Sequence, residues 1–224
     1  MTTPPDQHGH LGQSNQAPHK DLNKVDQSVS PQTFDSLARL LVDEDGKPLK
    51  AIPPLEKWNP KYCGEMDLVI RANGEWWNEG IRMTREPLIK LYSTVLWREE
   101  EDGQDKYYLK TPAEKIQITV EDAPLIVVDV EQVTDGGKTY IRCTTKTGDV
   151  VLADAAHPIV MRIFNHDGIA DKRPYIRIRR NLDALIHRNA FYHLIGWSEL
   201  LPTDQGEAMV LHSGDERFIL GLVE

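Results

Sequence analysis

A chain of 224 residues, 40% of them hydrophobic, is long enough for one large domain or two small ones sharing an interface, with ample apolar content for a core. A formal net charge of -9 argues against general nucleic-acid binding, which rests on Lys and Arg neutralising phosphates. The two cysteines, Cys63 and Cys143, lack metal-ligand spacing and read as reduced thiols, and no apolar run reaches the roughly 18 residues of a membrane span.

Residues 1–32 are rich in Pro, Gln, Ser and His and poor in large apolar groups, the composition of a disordered tail with no secretory signal pattern. The expectation is therefore a cytoplasmic protein without a membrane partner. Residues 33–60 read as a short helix, capped by Thr33 with Phe34, Leu37 and Leu41 on one face, followed by a Pro-rich connector anchored by Trp58.

The segment 61–112 forms a first α+β half. EMDLVIR alternates, and Asn73-Gly74 suits a two-residue hairpin turn before the return strand EWWNE. That register sets Ile70 opposite Trp77 and Leu68 opposite Glu79, so Trp77 faces the core and Trp76 shares the other face with Arg71. Glu79 then lies on the apolar face, where a carboxylate needs a cation, and Arg82 and Arg85 follow closely. A helix is expected over EPLIKLYSTVL, with Pro87 in its first turn. REEEDGQD reads as a solvated acidic loop in which Arg98 has no special part.

The segment 113–224 forms a second half. Short strands separated by turn signals run from KIQITV to YIRIRR, a helix capped by Asn181 covers NLDALIHRNAFYHLIG, and a hairpin closes the chain. The stretches IRMTREPLIKLYSTVL and IRIRRNLDALIHRNAFYHLI each carry arginines at a strand end before an amphipathic helix, a faint echo consistent with a repeat. The fold class is thus α+β: mainly antiparallel β with two strand-to-helix units in two related halves, plus an N-terminal helix and a C-terminal hairpin.

Two groups of residues are candidate binding sites. Arg177 and Arg179 project from one strand face, Arg180 follows, and a helix beginning at Asn181 would add free N–H groups and a dipole that favour an anion. The competing reading is a strand face whose arginines pair with the chain's own carboxylates. Trp76, Glu79 and Arg85 form the second group, an aromatic platform beside an ion pair, although adjacent hairpin tryptophans more often pack. Catalytic motifs such as GxSxG, HExxH and phosphate-cradling glycine loops are absent from the sequence, and neither a cofactor nor a metal-ligand set is read from it.

The stretches CGEMDLVIRANGEWWNEG, TPAEKIQITVEDAP, RRNLDALIHRNAFY and LHSGDERFILG, in this order, resemble the bacterial family known as domain of unknown function 1285. The resemblance implies a cytoplasmic protein of two related α+β halves with a role in signalling or ligand binding. Asn73 and Asn78 stand where the family pattern often has Asp and His, and Asn78 cannot serve as a neutral-pH base. The reading that combines these features is a non-enzymatic regulatory or ligand-binding module with an anion-accepting cleft, its partner an anionic small molecule or a protein. A protein-interaction adaptor, or a hydrolase or transferase with an unrecognised site, remains open.

Overall fold

The computed structural model describes residues 52–204 and 206–223. The tail and the helix expected from Thr33 lie outside the described residues. A short 3-10 turn, Leu55–Lys57, precedes the first sheet.

The first half comprises β1 (Lys61–Ile70), β2 (Trp76–Asn78), β3 (Ile81–Arg82), helix α1 (Glu86–Thr94), β4 (Leu96–Glu101), β5 (Gln104–Lys110) and β6 (Glu114–Val120). These strands form one sheet in the order β3-β2-β1-β6-β5-β4. The second half comprises β7 (Leu125–Asp135), β8 (Lys138–Thr145), β9 (Val150–Leu152), β10 (Ile159–His166), β11 (Ile169–Arg179) and β12 (Leu182–Ile186), in the order β10-β11-β12-β7-β8-β9.

Each sheet is two antiparallel three-strand meanders joined by a central parallel pair, β1 with β6 and β7 with β12. The halves are related, with one strand order read from opposite ends. Strand β6, which the sequence boundary at residue 112 assigns to the second half, completes the first sheet instead. The repeat also differs from the sequence echo: α1 sits between the two meanders of its sheet, whereas α2 (Arg188–Trp197) follows the last strand of the second. A third sheet of β13 (Glu199–Thr203), β14 (Gly206–Ser213) and β15 (Glu216–Leu222) ends the fold. The fully buried Ser213 joins it to the second half, accepting from the Ile141 N–H at 2.9 Å and donating to the Ala153 carbonyl at 2.5 Å.

Two local expectations are corrected. The β1–β2 hairpin pairs Ile70 with Trp76, Val69 with Trp77 and Leu68 with Asn78, one residue away from the expected register. Its loop has three residues: the Gly74 N–H donates to the Arg71 carbonyl at 2.7 Å and the Arg71 N–H to the Glu75 carbonyl at 2.8 Å, with Gly74 alone at positive φ (76°). This is a type I turn closed by a glycine bulge, which Asn-Gly suits as well as it suits a two-residue turn. A one-residue slip exchanges the two faces of a strand. Trp76 is consequently the core residue, 3% exposed, and Trp77 lies outside with the Arg71 guanidinium 5.7 Å from its ring centroid.

The second correction concerns residues 181–186. Leu182–Ile186 form the central strand β12 rather than the first turns of a helix, and α2 begins only at Arg188, with the His187 side chain accepting from the Asn189 N–H at 3.3 Å. The apolar positions of LDALI satisfy both periods, and a slot parallel to β7, buried on both sides, selects the strand.

The hairpin tip is fastened to the end of β6. The Glu121 carboxylate accepts the Ala72 N–H at 2.9 Å and pairs with Arg71 at 2.5 Å. Burial by itself raises the carboxyl pKa, but these two contacts outweigh it and hold the group below its ordinary value. A carboxyl depressed in the folded state contributes stability above the unfolded pKa and loses it as pH falls through the folded one. Glu121→Gln is therefore expected to lower the thermal midpoint at neutral pH and to flatten its fall below about pH 4. Parallel midpoint curves for variant and wild type would exclude this linkage.

Candidate functional site

The residues Trp76, Glu79 and Arg85 do not converge. Trp76 stacks in the core on Tyr92, with ring centroids 6.4 Å apart. Glu79 is exposed in the turn after β2 at φ 48°, and buried Asn78 occupies the inward position expected for it. Arg85 is exposed at the start of α1, while Arg82 pairs with Glu75 at 3.0 Å rather than with Glu79.

The residues Arg177 to Asn181 do gather, but not around a helix start. Arg177 pairs with Asp183, its cross-strand neighbour. The next residues reach into the first half. Arg179 bonds the Ser93 carbonyl at the end of α1 and pairs with Asp149, its side chain only 11% exposed. Burial, and then the adjacent positive Arg180, lower the Arg179 guanidinium to about 10, which leaves it charged at neutral pH. Arg180, at φ 49°, donates to Glu56 at 2.9 Å and to the Pro53 carbonyl at 2.8 Å. Asn181 donates to the Arg98 carbonyl at 2.6 Å. A left-handed non-glycine residue costs on the order of 1–3 kcal/mol and persists only where its surroundings hold it. Here the β11–β12 turn is held as a clasp between the halves.

The cleft lies beside this clasp, on the face of the second sheet turned toward the first half. Antiparallel pairing sets Arg162 of β10 opposite Arg173 of β11, and Arg177 opposite Asp183 of β12. Tyr175, between Arg173 and Arg177, lies on this face, with the Arg162 guanidinium 4.2 Å from its ring centroid. Arg173 covers Phe164 in the same way at 4.1 Å. The opposite wall comes from the first half: Arg98 of β4 pairs with Asp105 of β5 at 3.0 Å, and Tyr107 lies directly across from Arg98. The linker Asp122-Ala123-Pro124 forms the floor, and the volume of the cleft, which is open to solvent, is ≈ 150 Å³.

The floor is rigidly wired. Asp122 accepts from the Tyr175 hydroxyl at 2.6 Å and from Arg173 at 2.8 Å. Burial and the Asp122 carboxylate raise the Tyr175 hydroxyl above its ordinary value, so it acts as a donor and not as a base at neutral pH. The Tyr107 hydroxyl is raised by burial and then by the Asp105 charge, with a smaller contribution from Asp183 across the seam. Among the described residues, no cluster of three or more His, Cys, Asp or Glu could hold a metal ion. The groups present can fix a polar molecule through guanidinium, carboxylate and aromatic faces.

Arg98 is the residue that the sequence reading misplaced. The acidic stretch is a hairpin, the end of β4 and the start of β5 about Asp102-Gly103, and alternate side chains of β4 pair, Glu99 with Lys115 and Glu101 with Lys106, each at 2.6 Å. The remaining face carries Arg98 into the cleft. Alternation beginning at Leu96-Trp97 was the available signal, masked by the density of charge.

Two six-stranded mixed sheets in one strand order, clasped together with a cleft at their seam, define an α+β protein of two related halves. The chain belongs to the DUF1285 family: residues 53–123 match the N-terminal domain of that family of unknown function and residues 124–220 its C-terminal domain. It is similar to the crystal structure of a DUF1285 family protein from Silicibacter pomeroyi DSS-3, with 34% identity, coverage of 83% of this chain and 93% of that one, and a TM-score of 0.70. A DUF1285 family protein from Shewanella baltica OS155 is 25% identical over 58% of this chain and 91% of its own, with a TM-score of 0.42. No curated protein matches the chain. No helix of the described residues is long and apolar enough to cross a membrane.

Proposed function

We propose that the protein is a regulatory, ligand-binding module whose seam cleft accepts a small molecule bearing an anionic group, as part of a signalling response. The observation that carries this reading is the convergence of Arg98 from the first half and Arg162 from the second on one cleft. An anion held by both gains charge-assisted hydrogen bonds from each wall, and its binding energy favours the closed seam over any opened form. This moves the anion-accepting role from the β11–β12 turn to the neighbouring cleft. Of the residues expected at the anion site, Arg177 holds Asp183 in place, and Arg179, Arg180 and Asn181 keep the two walls together.

Mass spectrometry of small molecules retained by the purified protein under native conditions tests the reading. The wild type is expected to retain an anionic molecule, and titration with that molecule should show Arg98→Ala and Arg162→Ala each weakening affinity by about ten- to a hundredfold. Arg188→Ala, on α2, should leave affinity unchanged. Equal affinity in the wild type and both cleft variants would exclude this cleft. Nothing retained, with no response to a panel of carboxylates, phosphates and amino acids, would count against the ligand reading itself.

A further inference from the structure

The charges around the cleft are not those of a plain anion site. Two arginines, Arg98 and Arg162, share the lining with three aspartates, Asp105, Asp122 and Asp183. Asp122 is taken up by Tyr175 and Arg173, and its side chain is only 5% exposed. Asp183 is occupied by Arg162 at 2.9 Å and by Arg177, and is 11% exposed. The accessible charges are the Arg162 guanidinium on the second-half wall, 43% exposed, and the Asp105 carboxylate on the first-half wall, 44% exposed. Arg98, 18% exposed, also lines the cleft and is bonded to Asp105 through one guanidinium nitrogen.

Each wall therefore contributes an arginine and an aspartate, and the lining holds a half-exposed cation on one wall and a half-exposed anion on the other. A phosphate dianion would gain the arginines but share the cleft with the Asp105, Asp122 and Asp183 carboxylates. Like charges sharing one small cleft are costly once water is displaced. A molecule with one carboxylate and one ammonium meets an opposite charge at each end. Phe164, one ring face of which Arg173 already covers, lines the cleft with Pro124 and gives a ligand side chain a small apolar contact. The volume of ≈ 150 Å³ suits one small molecule, being below the roughly 300 Å³ at which pockets for drug-sized ligands begin.

We infer that the seam cleft takes a zwitterion of the α-amino-acid type, its carboxylate on Arg162 and Arg98 and its ammonium on Asp105, an inference that rests on the small-molecule reading above. The aspartates thereby select against simple phosphates and dicarboxylates. This selection is the exclusion of wrong partners by placed like charge.

The test is calorimetric titration of the full chain with each of the twenty common α-amino acids, then with the N-acetyl and amide derivatives of the best binder and with inorganic phosphate. At least one amino acid is expected to bind. Removing either ligand charge should weaken it about tenfold or more, as for lost hydrogen bonds to charged groups, and phosphate should bind more weakly than the parent. Asp105→Asn should weaken the amino acid while sparing its N-acetyl derivative. If the N-acetyl derivative binds as tightly as the parent, or Asp105→Asn changes nothing, the zwitterion inference fails and a simple anion cleft stands. If no amino acid binds, the inference fails, while spectrometry of the retained molecule still decides the broader ligand reading separately.

Discussion

Trp76→Ala is expected to lower the free energy of unfolding by about 3–5 kcal/mol, the range for deleting a large aromatic side chain from a core. Its ring is 3% exposed, stacked on Tyr92, and belongs to the continuous core that runs through both halves. Its neighbour behaves differently. Trp77 is half-buried, with its indole N–H on Glu75 at 3.2 Å and Arg71 over its face. Its replacement by alanine should cost roughly 1–2 kcal/mol, the scale of a partly exposed cation–π contact plus partial burial. Urea denaturation of the two variants measures the contrast. The reverse ranking would restore the two-residue turn and the alternative hairpin register.

Arg179→Ala carries the second large effect. The side chain links β11 both to Asp149 and to the Ser93 carbonyl of the other half, and removing one partner of a buried pair costs about 3–5 kcal/mol because the other charge is left stranded. Asp149 is itself 11% exposed and is fixed by hydrogen bonds from the Thr145 and Thr147 hydroxyls. The double variant Arg179→Ala/Asp149→Ala should lose less than the sum of the single losses, by about 0.5–3 kcal/mol, since each single change already forfeits the shared contact. Strict additivity in denaturant titrations would show that the pair is not coupled. Arg188→Ala, whose side chain is exposed and bonds only Tyr192 among the described contacts, should stay within about 0.5 kcal/mol of the wild type.

Much of this fold is legible in the sequence. Alternation in EMDLVIR, the strands from KIQITV to YIRIRR, the first helix with Pro87 in its opening turn and the closing hairpin all follow from period and turn chemistry. The failures occur where one pattern satisfies two structures. Asn73-Gly74 accommodates a two- or a three-residue loop, and the choice decides which tryptophan is buried. LDALI fits either period, and only the slot beside β7, assembled from distant sequence, resolves it. Gly74 shows how tertiary contact enters such choices: a Cβ there would lie 2.2 Å from Ile126 Cδ1, so the hairpin tip is fitted against the second half.

The candidate site was less legible than the fold. The arginine-rich run was visible, and so was its capacity to pair with the chain's own carboxylates. The residues that answer Arg177, Arg179 and Arg180, namely Asp183, Asp149 and Glu56, are brought to them by sheet order and by the packing of the two halves. Arg98, Asp105 and Tyr107 lie on one wall and Arg162, Tyr175 and Asp183 on the other, and no local spacing relates the two sets. A site built at a seam becomes visible only when both sides are in place.

Amide chemical-shift mapping of the isotopically labelled full chain, with and without the molecule that the native protein retains, tests the shared cleft most directly. The predicted result is a set of saturable shifts in both halves at once, around Arg98 to Tyr107 on β4 and β5 and around Arg162, Tyr175 and Asp183 on β10 to β12. Shifts confined to one half, or centred on the contact between Gly74 and Ile126, would contradict a binding site made by these cleft walls.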